Sequence, residues 1–163
     1  MKKNLLTAFF CAMFLLFKAD ANGQQTQTSN VAVTIATVTE LTANNTNLAT
    51  FAFATGAELE AGLTQPNAVS LAFKSNKITK IQIKAQGAGT FTGGAGDMPV
   101  SVISYKKNGT GAFVPLTSTA ADLSSSQSKG SSSFGIDYKI TPGLSYDPAS
   151  DYAVTIEYIL TPQ

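Results

Sequence analysis

The chain has 163 residues, 44% of them hydrophobic and only 13% charged, with eleven basic and ten acidic side chains and no histidine, tryptophan or arginine. Its single cysteine, Cys11, lies near the start. Histidine acid–base catalysis and Cys/His zinc sites are thereby excluded, and neither a basic excess nor an arginine fork is present to grip nucleic acid.

Residues 1–21 have the organisation of a secretory leader. Lys2 and Lys3 form a positive start, Leu5 to Phe17 is an apolar stretch, and Ala19-Asp20-Ala21 supplies small residues at the spacing of a cleavage site. The apolar stretch, 13 residues long, falls short of the roughly 20 that span a bilayer, which argues against a retained anchor. Cys11 follows Phe9-Phe10 inside the stretch rather than small residues at its end, so it reads as an apolar leader residue and not as a lipidation site. Cleavage after Ala21 is predicted. It removes Lys2, Lys3, Lys18 and Asp20 and leaves eight lysines against nine acids in an exported, cysteine-free chain. Without disulfides, such a chain depends on a hydrophobic core and backbone pairing. Residues 22–30 read as a flexible N-terminal segment and 31–163 as one domain.

From Val31 onward the hydrophobic pattern has period two, the strand signature. Val31, Val33 and Ile35 alternate with Ala32 and Thr34, and Val38 then falls out of phase, which suggests a bulge or a change of sheet. Phe51 and Phe53 predict a short strand. Val69, Leu71 and Phe73 predict the next, and Lys77 to Ala85 sets Ile81 and Ile83 against a solvated face of Lys80, Gln82 and Lys84. Gly87 to Asp97 is glycine-rich, but it lacks the Gly-Lys-Ser/Thr ending and following helix of a phosphate loop, so it reads as a flexible connection. Val100–Tyr105 and Phe113–Leu116 flank Asn108-Gly109-Thr110-Gly111, a hairpin signal. Ser124 to Ser133 is polar and repetitive and reads as a mobile connection. A Ser–Lys nucleophile pair built around Lys129 is disfavoured there, because a mobile loop cannot orient it. Phe134–Ile140 and Tyr152–Leu160 are alternating strands joined by a Pro, Gly, Ser and Asp-rich connection, and they read as antiparallel neighbours. No amphipathic helix is evident. The fold class is therefore all-β, an antiparallel immunoglobulin-like sandwich of about seven to nine strands, ahead of a closed barrel.

Four segments carry a resemblance: Val31–Thr42 (VAVTIATVTELT), Ser75–Ala85 (SNKITKIQIKA), Asp137–Tyr146 (DYKITPGLSY) and Asp151–Thr161 (DYAVTIEYILT). Together they resemble a group of small secreted proteins of Bacteroidetes. More distantly, the ending is similar to the WxL surface domain, spore coat protein U and pilin-type domains. The resemblance implies an immunoglobulin-like sandwich and an extracytoplasmic structural role without enzymatic activity. It transfers no functional residue. The absence of tryptophan removes the WxL signature and any inferred peptidoglycan binding, and the disulfide usual in pilins cannot form.

Few residues stand out as candidates for a site. Asp147 and Asp151, with Ser145 and Ser150 nearby, are weak candidates for calcium, which takes oxygen ligands alone. Asp147-Pro148 as a turn start and Asp151 as a strand-edge residue is the preferred reading. No cofactor is expected. Four of the five tyrosines fall on strands, which leaves Tyr146, on a connection, as the candidate for recognition of a glycan or protein. The leading functional expectation is a secreted or extracytoplasmic structural protein, in the periplasm or on the cell surface, that assembles with itself or with other surface proteins. In a pilin-like subunit, Val31, Val33 and Ile35 are the candidate inserted strand. The preferred reading makes them the domain's own first strand. The alternative function is a glycan- or protein-binding module presented by the sandwich loops, and a hydrolase is the most remote of the three classes.

Overall fold

A computed structural model describes residues 27–48, 50–94 and 98–163. The leader, and the last three residues of the Gly87–Asp97 stretch, lie outside the described residues. Residues 36–163 form one compact unit. In chain order that unit contains β1 (Thr39–Asn44), a short helix α1 (Gly56–Ala61), β2 (Leu63–Ser75), β3 (Thr79–Ala85), a 3-10 turn (Val100–Val102), β4 (Ile103–Lys107), β5 (Val114–Pro115), β6 (Ala121–Gln127), β7 (Gly130–Ile140) and β8 (Ile156–Pro162). The strands form two antiparallel sheets packed as a sandwich, one of five strands ordered β1-β2-β7-β4-β5 and one of three ordered β6-β3-β8.

Alternation is what places the core. In β3 the odd residues Thr79, Ile81, Ile83 and Ala85 are buried while Lys80, Gln82 and Lys84 face out, as the sequence pattern requires. They meet Val69, Leu71 and Phe73 of β2 and Ile136 and Tyr138 of β7 in a single cluster. Each of these larger aliphatic side chains contributes roughly 1.5–3 kcal/mol of burial free energy. Leu116 marks the place where the chain changes sheets. Its amide donates to the Ile103 carbonyl in the larger sheet, while the carbonyl of the next residue, Thr117, accepts from Ala85 of β3 in the smaller one. One side of the sandwich is thus closed by continuous chain.

Several sequence expectations are corrected. Residues 27–38 hold no strand; β1 begins only at Thr39, so Val31–Ile35 is not the domain's own first strand. Phe51 and Phe53 lie half-buried in irregular chain, with Phe51 packed on the core. The serine-rich stretch is no mobile loop: it supplies most of β6, a tight Ser128-Lys129 connection and the start of β7, because sheet pairing uses backbone and tolerates serine on an exposed face. β7 and β8 do not pair. β7 lies between β2 and β4, whereas β8 pairs with β3 in the other sheet. Helix α1 escapes a periodicity reading because it is only six residues long; Thr55 and Glu58 form a capping box at its start.

Thr79 is fully buried, and its hydroxyl has no hydrogen-bond partner among the described residues. A buried unsatisfied hydroxyl costs free energy that a methyl of similar shape does not. Thr79→Val is therefore expected to stabilise the domain by about 1 kcal/mol, read as a higher melting temperature; an unchanged or lower one would show the hydroxyl to be satisfied in solution.

Candidate functional site

Asn76, in the turn between β2 and β3, fixes the point at which the N-terminal segment joins the sandwich. The Val38 amide donates to the Asn76 side-chain oxygen at 2.9 Å, the Asn76 side-chain amide donates to the Ala36 carbonyl at 2.6 Å, and the Asn76 backbone amide donates to the Val38 carbonyl at 3.2 Å. These bonds hold Ala36–Val38 as the lead-in to β1. Residues 27–35, ahead of this clamp, have no regular structure, and Val31, Val33 and Ile35 are 85%, 76% and 79% exposed. Three β-branched side chains in strict alternation therefore stand in water with a strand pattern and no strand partner among the described residues. Val31 through Thr39 contains no Gly, Pro, Asn or Asp, the residues that let a chain reverse tightly.

The two sheets present unpaired edges of their own. The larger sheet ends at β1 and at the two-residue β5; the smaller ends at β6 and β8. β5 contains Pro115, and the pairing of β6 with β3 shifts register twice. β8 pairs with β3 without interruption from Ile156 to Pro162. Gln86 donates to the Thr155 carbonyl and Gln163 to the Ile78 carbonyl at the two ends of this ladder. Alternation then turns the backbone groups of residues 157, 159 and 161 toward β3 and those of Ile156, Tyr158 and Leu160 outward. The side chains of these last three are half-buried against the core.

The remaining candidates have structural partners. Asp151 accepts the Gly94 amide at 2.9 Å, and the Asp147 backbone carbonyl accepts the Tyr152 hydroxyl at 3.0 Å. Among the described residues no three His, Cys, Asp or Glu side chains gather closely enough to share a metal ion. Tyr146 is half-buried and packs against the core rather than standing free. Gly94 adopts φ +53° and lies directly against the Tyr152 ring, so a side chain there would collide with it. A shallow groove of about 270 Å³ is lined by Gln86, Thr90, Thr92 and Thr155 among others, with no charged or aromatic side chain in its wall.

Asp137 was not singled out by its sequence surroundings, yet it is a buried carboxylate with three partners. It accepts from the Asn67 amide at 2.8 Å and from the Asn108 side-chain amide at 2.7 Å, and Lys106 lies 3.7 Å away. Burial pushes its pKa up, but the Asn108 and Asn67 hydrogen bonds and the Lys106 charge outweigh that and hold it below the ordinary carboxylate value. Its partners come from the interruption in β2, where Asn67 has φ +50°, and from the β4–β5 hairpin. The arrangement pins a bulge to a turn. Among the described residues no helix is long and apolar enough to cross a membrane. Compared with known proteins, the chain matches no family model and no curated protein.

Proposed function

We propose that this chain is an exported, non-enzymatic structural protein of the periplasm or cell surface that assembles by lending residues 31–35 as a β-strand to another sandwich. The observation that carries the reading is the exposure of Val31, Val33 and Ile35 at 85%, 76% and 79%, in the phase of a half-buried strand. Burying three such side chains is worth roughly 5–8 kcal/mol, and association costs about as much in lost translational and rotational freedom. Main-chain hydrogen bonding along an acceptor edge then tips the balance, as in other strand-addition complexes. Assembly should accordingly be concentration-dependent. The reading also agrees with a composition that lacks histidine and arginine, and with the likeness of four segments to small secreted proteins.

Light scattering coupled to size exclusion tests it on the chain Asn22–Gln163 and on a variant carrying V31S, V33S and I35S. The unsubstituted chain is expected to form species of two or more copies, and the variant to run as a monomer with an unchanged melting temperature, because its core and the Asn76 clamp are intact. A monomer in both cases at high concentration would sink the reading and turn attention to the loop-end binding module.

A further inference from the structure

We infer that the acceptor for this strand is the outer edge of β8 in a second copy of the same chain; the inference rests on the strand-lending reading above. Four edges are available, and three are poor templates. β5 is two residues long and includes Pro115, which has no amide to donate. β6 has a broken register, and it lies on the side where the chain crosses between sheets. β1 is regular, but only Leu41 along it packs on the core, and its other residues are exposed. β8 combines an uninterrupted ladder with three inward side chains, Ile156, Tyr158 and Leu160, that are only half covered.

The pattern of the donor fits that edge. Seated beside β8 with Val31, Val33 and Ile35 on the inner face, the segment extends the apolar row of Ile156, Tyr158 and Leu160 by one strand. The outward backbone groups of those same three residues receive its main chain. The smaller sheet becomes four-stranded beneath a five-stranded partner, and its exposed apolar margin is covered. β1 approaches β8 on this side, so the added strand lies next to Leu41 of the opposite sheet. Charge does not oppose the contact: the donor run 31–38 carries no charged residue, and the Lys84–Glu157 ion pair at 3.2 Å already neutralises the one charge on β8. The second copy, rather than the same chain, is the partner because the seven residues Ala32–Val38, which include no turn former, separate Val31 from β1 by stiff, extended-favouring chain.

The exported chain has no cysteine of its own, so disulfide trapping reads this geometry directly. Thr34 lies on the outer face of the donor and Ile159 on the outer face of β8, opposite Gln82; neighbouring strands hold Cα atoms within disulfide range. One chain carrying T34C is mixed with another carrying E157C, I159C or T161C and oxidised. A disulfide-linked heterodimer is expected for at least one of the three, lost on reduction and lost when V31S, V33S and I35S are added to the donor. T34C mixed with T42C on β1, or with D122C on β6, should give none. Linkage at β1 or β6 would overturn the choice of edge while leaving strand lending intact. A single chain carrying both T34C and I159C that closes at monomer mass would overturn the choice of a second copy. Monomers throughout, with no linkage anywhere, would remove the underlying reading itself.

Discussion

Asp137→Ala is expected to lower stability at pH 7 by about 3 kcal/mol, among the largest costs of any single substitution outside the apolar core. The carboxylate is 5% exposed. Its removal leaves the Asn67 amide without an acceptor at a left-handed residue in the β2 interruption, and it frees Asn108 in the β4–β5 hairpin. Lys106 retains only its contact with the Phe113 ring, 5.0 Å from the ring centre. Gly135 is part of the same arrangement, since a Cβ at that position would strike the Asn67 side chain. The effect has a pH signature. The folded pKa lies below the ordinary carboxylate value near 3.8, so the stabilisation is fully present above that value and is lost as pH falls through the folded pKa. Urea unfolding curves for the two proteins should therefore differ most at neutral pH and draw together below pH 3.8. A constant difference down to the acid limit would show that Asp137 acts by packing alone.

This network also marks the limit of what the sequence discloses. Asn67 and Asp137 are 70 positions apart, and nothing in the surroundings of either distinguishes it from a surface residue. β3 was legible because its buried and exposed residues alternate without a break and its outer face carries two lysines. The same alternation at Val31–Ile35 was equally clear, yet it led to an intrinsic strand that does not exist. Period two says how a segment would bury itself if paired; it carries no information on where the partner is. The Ser124–Ser133 stretch failed in the opposite direction. Its composition resembles a linker, but β7 gains its place from ladders with β2 and β4 on both sides, and an outer face of serines costs such a strand little. The adjacency of β7 and β8 misled because the connection from Pro142 to Asp151 is long enough to carry the chain across to the other sheet. The three-stranded sheet, and with it the open edge of β8, becomes visible only once that crossing is known.

The second large effect belongs to the tyrosines that tie β8 to β7. The hydroxyls of Tyr138 on β7 and Tyr158 on β8 meet at 2.5 Å between the two sheets. Burial pushes the Tyr138 pKa far above the ordinary value near 10, and the neighbouring Tyr158 adds to it. Burial also raises Tyr158, against the opposing effect of the Tyr138 hydrogen bond, and raises Tyr105, where Asp122 contributes. Each group remains protonated in the folded chain at a pH where the unfolded chain has released its proton. Their contribution is intact below pH 10 and declines as pH rises from there toward the folded values, by at most about 1.4 kcal/mol per pH unit for each tyrosine. The combined loss is expected to unfold the domain cooperatively on the alkaline side of pH 10. With no tryptophan in the chain, tyrosinate absorbance is unobscured, and its rise should coincide with the loss of strand circular dichroism. Tyr158→Phe takes one proton out of the transition. It should cost about 1 kcal/mol at neutral pH, through the lost hydrogen bond, yet flatten the alkaline slope. Tyrosinate appearing near pH 10 for all five tyrosines while the dichroism persists would contradict burial of the pair. Because Tyr158 stands on the inner face of β8 beside Ile156 and Leu160, the hydroxyl contact is the point at which the smaller sheet is pinned to the larger.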